Sequence, residues 1–157
     1  MIRVRDATKD DWQAVASLLA ELGRPDIRGT PDEEPARLLF EDYLERNDAV
    51  ALVAEDTGGV IGFCDLEFRP RLNFTRPQAW IPDLIVAEDA RSRGAGAALL
   101  ERAEELARSR DCWGMTLESA NWRTRAHAFY AREGWEDTGH SFGKSLTGEP
   151  WPPHPPP

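Results

Sequence analysis

The chain has 157 residues, 28 acidic against 19 basic, and a formal net charge of −9. That length suits one domain with a single core, and no apolar run approaches the roughly 20 residues that a membrane helix needs. So acidic a surface repels phosphate backbones, which argues against nucleic acid as a partner and is compatible with a cationic one.

In chain order, Ile2 and Val4 alternate with Arg3 and Arg5 as a first strand. No signal-peptide apolar region precedes it, so a cytoplasmic location is expected. Thr8 can cap a helix with Asp10 and Asp11 in its first turn and an apolar stripe of Trp12, Val15, Ala16, Leu19 and Leu22, stopped by Gly23. A second helix is predicted from Pro31 to about Arg46. Residues 49–55 and 60–68 read as strands joined by the turn Asp56-Thr57-Gly58-Gly59. A loop over 69–77 leads to a strand over 79–86 that Pro82 interrupts. A long helix is predicted over 91–110, a strand over 113–118 and a helix over 123–132. Residues 135–137 and 140–146 can pair as a closing hairpin, and the proline-rich tail over 148–157 is expected to be extended and mobile.

The segment from Trp80 to Leu100 carries the most information. A strand runs through a short turn into a glycine-containing loop that opens directly into a helix. Gly94 and Gly96 let a ligand approach the main chain closely. The first amides of the helix lack internal partners at the positive end of its dipole, which suits a pyrophosphate. A Walker loop would need Gly-Lys-Ser/Thr where Ala95-Gly96-Ala97 stands, and a dinucleotide fingerprint would need glycine at Leu99.

Arg91-Ser92-Arg93-Gly94-Ala95-Gly96 instead resembles the coenzyme-A loop of the GNAT superfamily of N-acetyltransferases. The family's second half follows at its usual spacing: Leu117-Glu118-Ser119-Ala120-Asn121, then Ala126-His127-Ala128-Phe129-Tyr130 and, further on, Gly134-Trp135. The resemblance implies one GNAT domain over 1–147. Its fold is mixed α/β, with a mostly antiparallel sheet of about six to seven strands, about four helices and a splay at the cofactor strand. It also implies acetyl-CoA as donor and an amine of a small molecule or peptide as acceptor. The main chain of Leu84, Ile85 and Val86 then pairs with the pantetheine arm, and Arg91, Arg93, Gly94, Ala95, Gly96 and Ala97 surround the pyrophosphate. Asn121 bonds the pantetheine, and Tyr130 protonates the departing thiolate.

Pro82 supports a splay independently, because proline cannot donate to a central ladder. Asp83 and then Glu118 are the candidates for taking the amine's proton. Each has a plainer reading: Tyr130 as a core ring, Asn121 as a turn residue, Glu118 as a solvated strand-end carboxylate. A non-catalytic acyl-CoA-binding module is the alternative function. Cys64 and Cys112 read as reduced thiols, and the histidines show no metal-ligand spacing, so no metal is expected. Trp135, Phe142 and Leu146 in the closing hairpin point to a homodimer.

Overall fold

A computed structural model describes residues 1–149. From Pro150 onward the proline-rich tail lies outside the described residues. Among the described residues the backbone forms two compact units, Met1–Leu117 and a second that begins at Glu118.

The first unit holds the whole sheet. Strand β1 (Arg3–Asp6) is followed by a single 3-10 turn (Lys9–Asp11) and helix α1 (Trp12–Leu22), which closes on Gly23. Helix α2 (Glu33–Glu45) leads into β2 (Ala49–Asp56) and β3 (Gly59–Arg69). These two form the expected hairpin: Asp56 Oδ1 accepts the Gly58 N–H at 2.8 Å, and Gly59 takes φ +120°, a conformation that side chains disfavour. Then come β4 (Gln78–Ile81), β5 (Leu84–Val86), helix α3 (Ala95–Ser109) and β6 (Gly114–Leu117). The sheet runs β1-β2-β3-β4-β6, with β5 also on β3, and only β4 and β6 pair in parallel.

Alternation along β3 sends its residues to two different cores. Phe63, with Ala51, Val53 and Ile85, meets Trp12, Val15, Ala16 and Leu18 of α1 and Phe40 of α2. The opposite face meets α3: a Cβ built on Gly62 would stand 3.1 Å from Leu99, and Arg110 lies over the Phe68 ring at 4.3 Å.

The second unit contains helix α4 (Thr124–Arg132) and an irregular segment after it. The closing hairpin expected over 135–137 and 140–146 does not form. Its alternation rests on three apolar residues, and a lone two-stranded hairpin is marginal in water. Phe142 and Leu146 are 93% and 91% exposed instead. The six strands among the described residues fall within the expected six to seven but arise differently: the hairpin is lost, and the predicted strand over 79–86 becomes two.

Candidate active site

That division is a β-bulge. β4 pairs with β3 through Glu67↔Trp80 and Phe68↔Ala79, whereas β5 pairs through Cys64↔Leu84 and Phe63↔Ile85, one residue out of step. Pro82 and Asp83 occupy the offset. Pro82 has no N–H to lose, and the Asp83 N–H donates to Asp65 Oδ1 at 2.7 Å. Asp83 returns its carbonyl to the Asp65 N–H at 3.1 Å. β4 continues beside β6, but β5 pairs with β3 alone among the described strands.

The phase of the β5 ladder follows from its ends. Asp83 O accepts from β3, and the Ala87 N–H donates to Ile61 O at 2.8 Å. Antiparallel alternation then turns the N–H and C=O groups of Leu84 and Val86 to the open edge, and those of Ile85 to β3. Arg91 Nε reaches Val86 O at 3.4 Å, on that open side.

Beyond β5 a short 3-10 turn (Glu88–Ala90) leads into the glycine loop. Gly94 caps α3 at φ +92°, where its missing Cβ lets the chain turn into the helix. The first helical bond runs from Ala98 N–H to Gly94 O at 3.0 Å. The amides of Ala95, Gly96 and Ala97 are thus left outside the helix ladder, at the positive end of the dipole. Arg93 is tethered to the β2–β3 turn by Asp56, with Nη1 and Oδ2 3.1 Å apart.

At the bulge three carboxylates, a tyrosine and two arginines gather. Arg24, just past α1, sends Nε and Nη2 to Asp83 Oδ1 at 2.9 and 2.7 Å. Glu67 pairs with Arg46 at 3.3 Å, and the Tyr43 hydroxyl lies 3.5 Å from both Glu67 Oε2 and Leu66 O. Burial, then the neighbouring Asp65 and Glu67 carboxylates, push the Tyr43 phenol above its ordinary range. Asp65 is 9% exposed. Burial first, and the Asp83 carboxylate second, push its carboxyl up to about 9.

In the second unit, Tyr130 is buried on α4, its ring 5.4 Å from Phe129 and 6.1 Å from Trp135. The Trp135 N–H donates to Tyr130 O at 2.9 Å, folding the chain back over the helix end. Asn121 is exposed in the turn before α4, and Glu118 is exposed immediately after β6. A ring nitrogen of His127 lies 2.9 Å from Ala120 O, so this side chain braces that same turn.

Residues 12–135 match the model of the Acetyltransferase (GNAT) family. The chain belongs to this family. It is 31% identical over 140 residues to an uncharacterized N-acetyltransferase, YhfO, of Bacillus subtilis, covering 88% of this chain and 93% of the relative. It is 30% identical over 143 residues to the aminoalkylphosphonate N-acetyltransferase of Salmonella typhimurium, covering 91% of this chain and 90% of the relative. A crystal structure of a transcriptional regulator from Bacillus halodurans C-125 shares its fold with a TM-score of 0.81. Its identity is 22%, over 93% of this chain and 100% of that one. The protein is therefore a GNAT acyltransferase. No helix among the described residues is long and apolar enough to cross a membrane, and no three His, Cys, Asp or Glu side chains gather there as a metal site. Both cysteines are free.

In this GNAT chain a buried carboxylate that the sequence analysis does not single out is Asp65. The available signal was a carboxylate inside the apolar run Ile61 to Phe68, on the strand facing Pro82. Its environment gives a measurable sign. An unfolded Asp titrates near about 3.9, so between there and about 9 the folded chain holds a proton that the unfolded chain has released. The contribution of this group to stability is fully present at acid pH and declines as pH rises through that window. Asp65→Asn removes the slope, so thermal midpoints of variant and parent should diverge from pH 5 to pH 9 in the variant's favour. Parallel curves would mean that Asp65 is already ionised in the folded protein.

Proposed function

We propose that this GNAT protein transfers the acetyl group of acetyl-CoA to a primary amine of a small molecule or peptide, by direct attack of the amine on the thioester. The observation that carries the reading is the one-residue offset at Pro82–Asp83, which frees one edge of β5 just before a glycine-capped helix start. Family membership supports the donor, because GNAT enzymes generally use acetyl-CoA.

The residues fit that donor chemically. Leu84 and Val86 offer main-chain groups for the amide-rich pantetheine arm. Ala95, Gly96 and Ala97 offer free amides to a pyrophosphate, with the Arg91 and Arg93 guanidinium groups on the same loop. Asn121 can bond the arm's amides. The donor supplies an activated acetyl thioester; the chain's own task is to move protons. An alkylammonium, with a reference pKa near about 10.4, must become a neutral amine before it attacks. A carboxylate takes that proton, with Asp83 and Glu118 the candidates legible in sequence. The Tyr130 hydroxyl gives its proton to the sulfur as the carbon–sulfur bond breaks.

The test is release of free coenzyme-A thiol from acetyl-CoA against a panel of polyamines, amino acids, peptides, aminoglycosides and aminoalkylphosphonates. The last class is included because one relative carries that activity in its name. Turnover with at least one amine is the expected result. Binding of acetyl-CoA without turnover on any of them would favour a sensing module instead.

We also propose a homodimer, since Phe142 and Leu146 leave an apolar pair in solvent that a second copy would cover. Light scattering should give the dimer mass at micromolar concentration, and Phe142→Asp should return the monomer. A monomeric parent protein would end this part of the reading.

A further inference from the structure

The carboxylates at the bulge are not equivalent. Asp83 Oδ1 receives both nitrogens of the Arg24 fork, and Arg24 Nη2 also donates to Pro82 O at 3.3 Å. The Asp83 carboxylate is thus already charge-paired with a guanidinium through Oδ1. Glu67 is similarly engaged by Arg46. Asp65 has no ion pair among the described residues, and its carboxyl accepts a hydrogen bond from the Asp83 amide.

Asp65 lies on β3 in step with Phe63 and Glu67, on the sheet face that carries α1 and α2. The groups around it are Asp83 from the bulge, Tyr43 from α2 and Glu67 from its own strand, with Ala51 opposite on β2. Arg24 and Arg46 stand one residue further out, each bound to another carboxylate. The Cys64 thiol donates to the Asp65 main-chain carbonyl at 3.7 Å and leaves the carboxyl untouched.

Resting on the acetyl-transfer reading, we propose that Asp65 takes the proton of the attacking amine, and that Asp83, held by Arg24, is a positioning residue that fixes Asp65 and sets its basicity. The acceptor arrives as an ammonium, whose charge favours ionised Asp65 and sends the resting carboxyl proton to solvent. The nitrogen then yields its proton to the Asp65 carboxylate. Its lone pair forms the carbon–nitrogen bond while the carbon–sulfur bond breaks, and Tyr130 protonates the thiolate. Asp65 is then back in its resting acid form; the new amide nitrogen loses its second proton to solvent while solvent reprotonates the Tyr130 phenolate, so one proton is released per turnover. A carboxylate kept basic by burial and by a neighbouring anion suits this work, because basicity near the working pH maximises proton transfer.

The experiment compares pH–rate profiles of kcat/KM for the parent, Asp65→Asn and Asp83→Asn, using the panel amine with the highest turnover. The amine's own ionisation is common to all three. Asp83→Asn should keep the enzyme's acidic limb but move it to lower pH, since it removes the like charge beside Asp65. Asp65→Asn should abolish that limb and lower kcat/KM on the order of 100-fold. Its acetyl-CoA affinity should be retained and its thermal midpoint at pH 6 should equal or exceed the parent's, because Asn imitates the protonated carboxyl. Loss of the limb in Asp83→Asn with survival in Asp65→Asn overturns the proposal. Carboxyl-13C NMR of Asp-labelled protein supplies a readout without turnover. One resonance should titrate above pH 7, vanish in Asp65→Asn and shift to lower pH in Asp83→Asn; its absence overturns the proposal as well. A parent protein inactive on every amine refutes the acetyl-transfer reading itself, a result distinct from either of these.

Discussion

Replacing Gly96 with Asp should abolish acetyl-CoA binding while the chain stays folded. Gly96 is the second residue of α3, among the three amides that lie outside the helix ladder. A carboxylate there faces the positive end of the helix, where an acidic side chain is favourable, and Asp is also a better helix residue than Gly. The variant's own stability should therefore hold or rise. A pyrophosphate meets the opposite condition, since the new side chain takes its room and its charge repels it. Calorimetry should show affinity weakened by at least about 100-fold, the scale of a like charge set against a bound anion. A thermal midpoint at or above the parent's would separate this from misfolding. Unchanged binding would remove the loop from the cofactor site.

Tyr130→Phe should lower kcat on the order of 100-fold with acetyl-CoA affinity unchanged, the size expected for loss of a general acid. The substitution keeps the ring beside Phe129 and Trp135 and removes only the hydroxyl. Were Tyr130 simply a packed core ring, the effect would appear in the thermal midpoint and not in turnover. Single-turnover kinetics is the suitable measurement, because slow product release would mask a change in the chemical step. A full single-turnover rate in the variant would assign the proton to another donor or to water.

The elements of the first unit were legible because each carries its own local signal. Gly23 ends α1, the Asp56 to Gly59 turn joins β2 to β3, and the apolar period of α3 survives in Leu99, Leu100, Ala103 and Ala107. The start of α3 was read four residues early, since Arg91 to Gly94 are compatible with a helix but carry the loop instead. The segment after Trp135 misled for a different reason. Three apolar residues separated by polar ones imitate a strand, yet nothing local commits them to a pairing partner. At the site, glycines and proline announce themselves by what they cannot do, so the loop and the bulge were visible. Asp65 and Arg24 were not. Their importance comes from contacts 18 and 59 residues away in the chain, and no local pattern encodes such distances.

The bulge at Pro82–Asp83 also bears on how this architecture can change over time. A strand offset is a whole number. Point substitutions can weaken a side chain by degrees, but no exchange of one residue for another alters the count between Ile81 and Leu84. Deleting one residue there would bring β4 and β5 into a single register, with Leu84 still opposite Cys64 and Ile85 still opposite Phe63, so the bulge would be lost outright and not by degrees. The open edge is thus insulated from gradual erosion, and lineages of this fold are free to vary the chemistry around the slot far more readily than the slot itself.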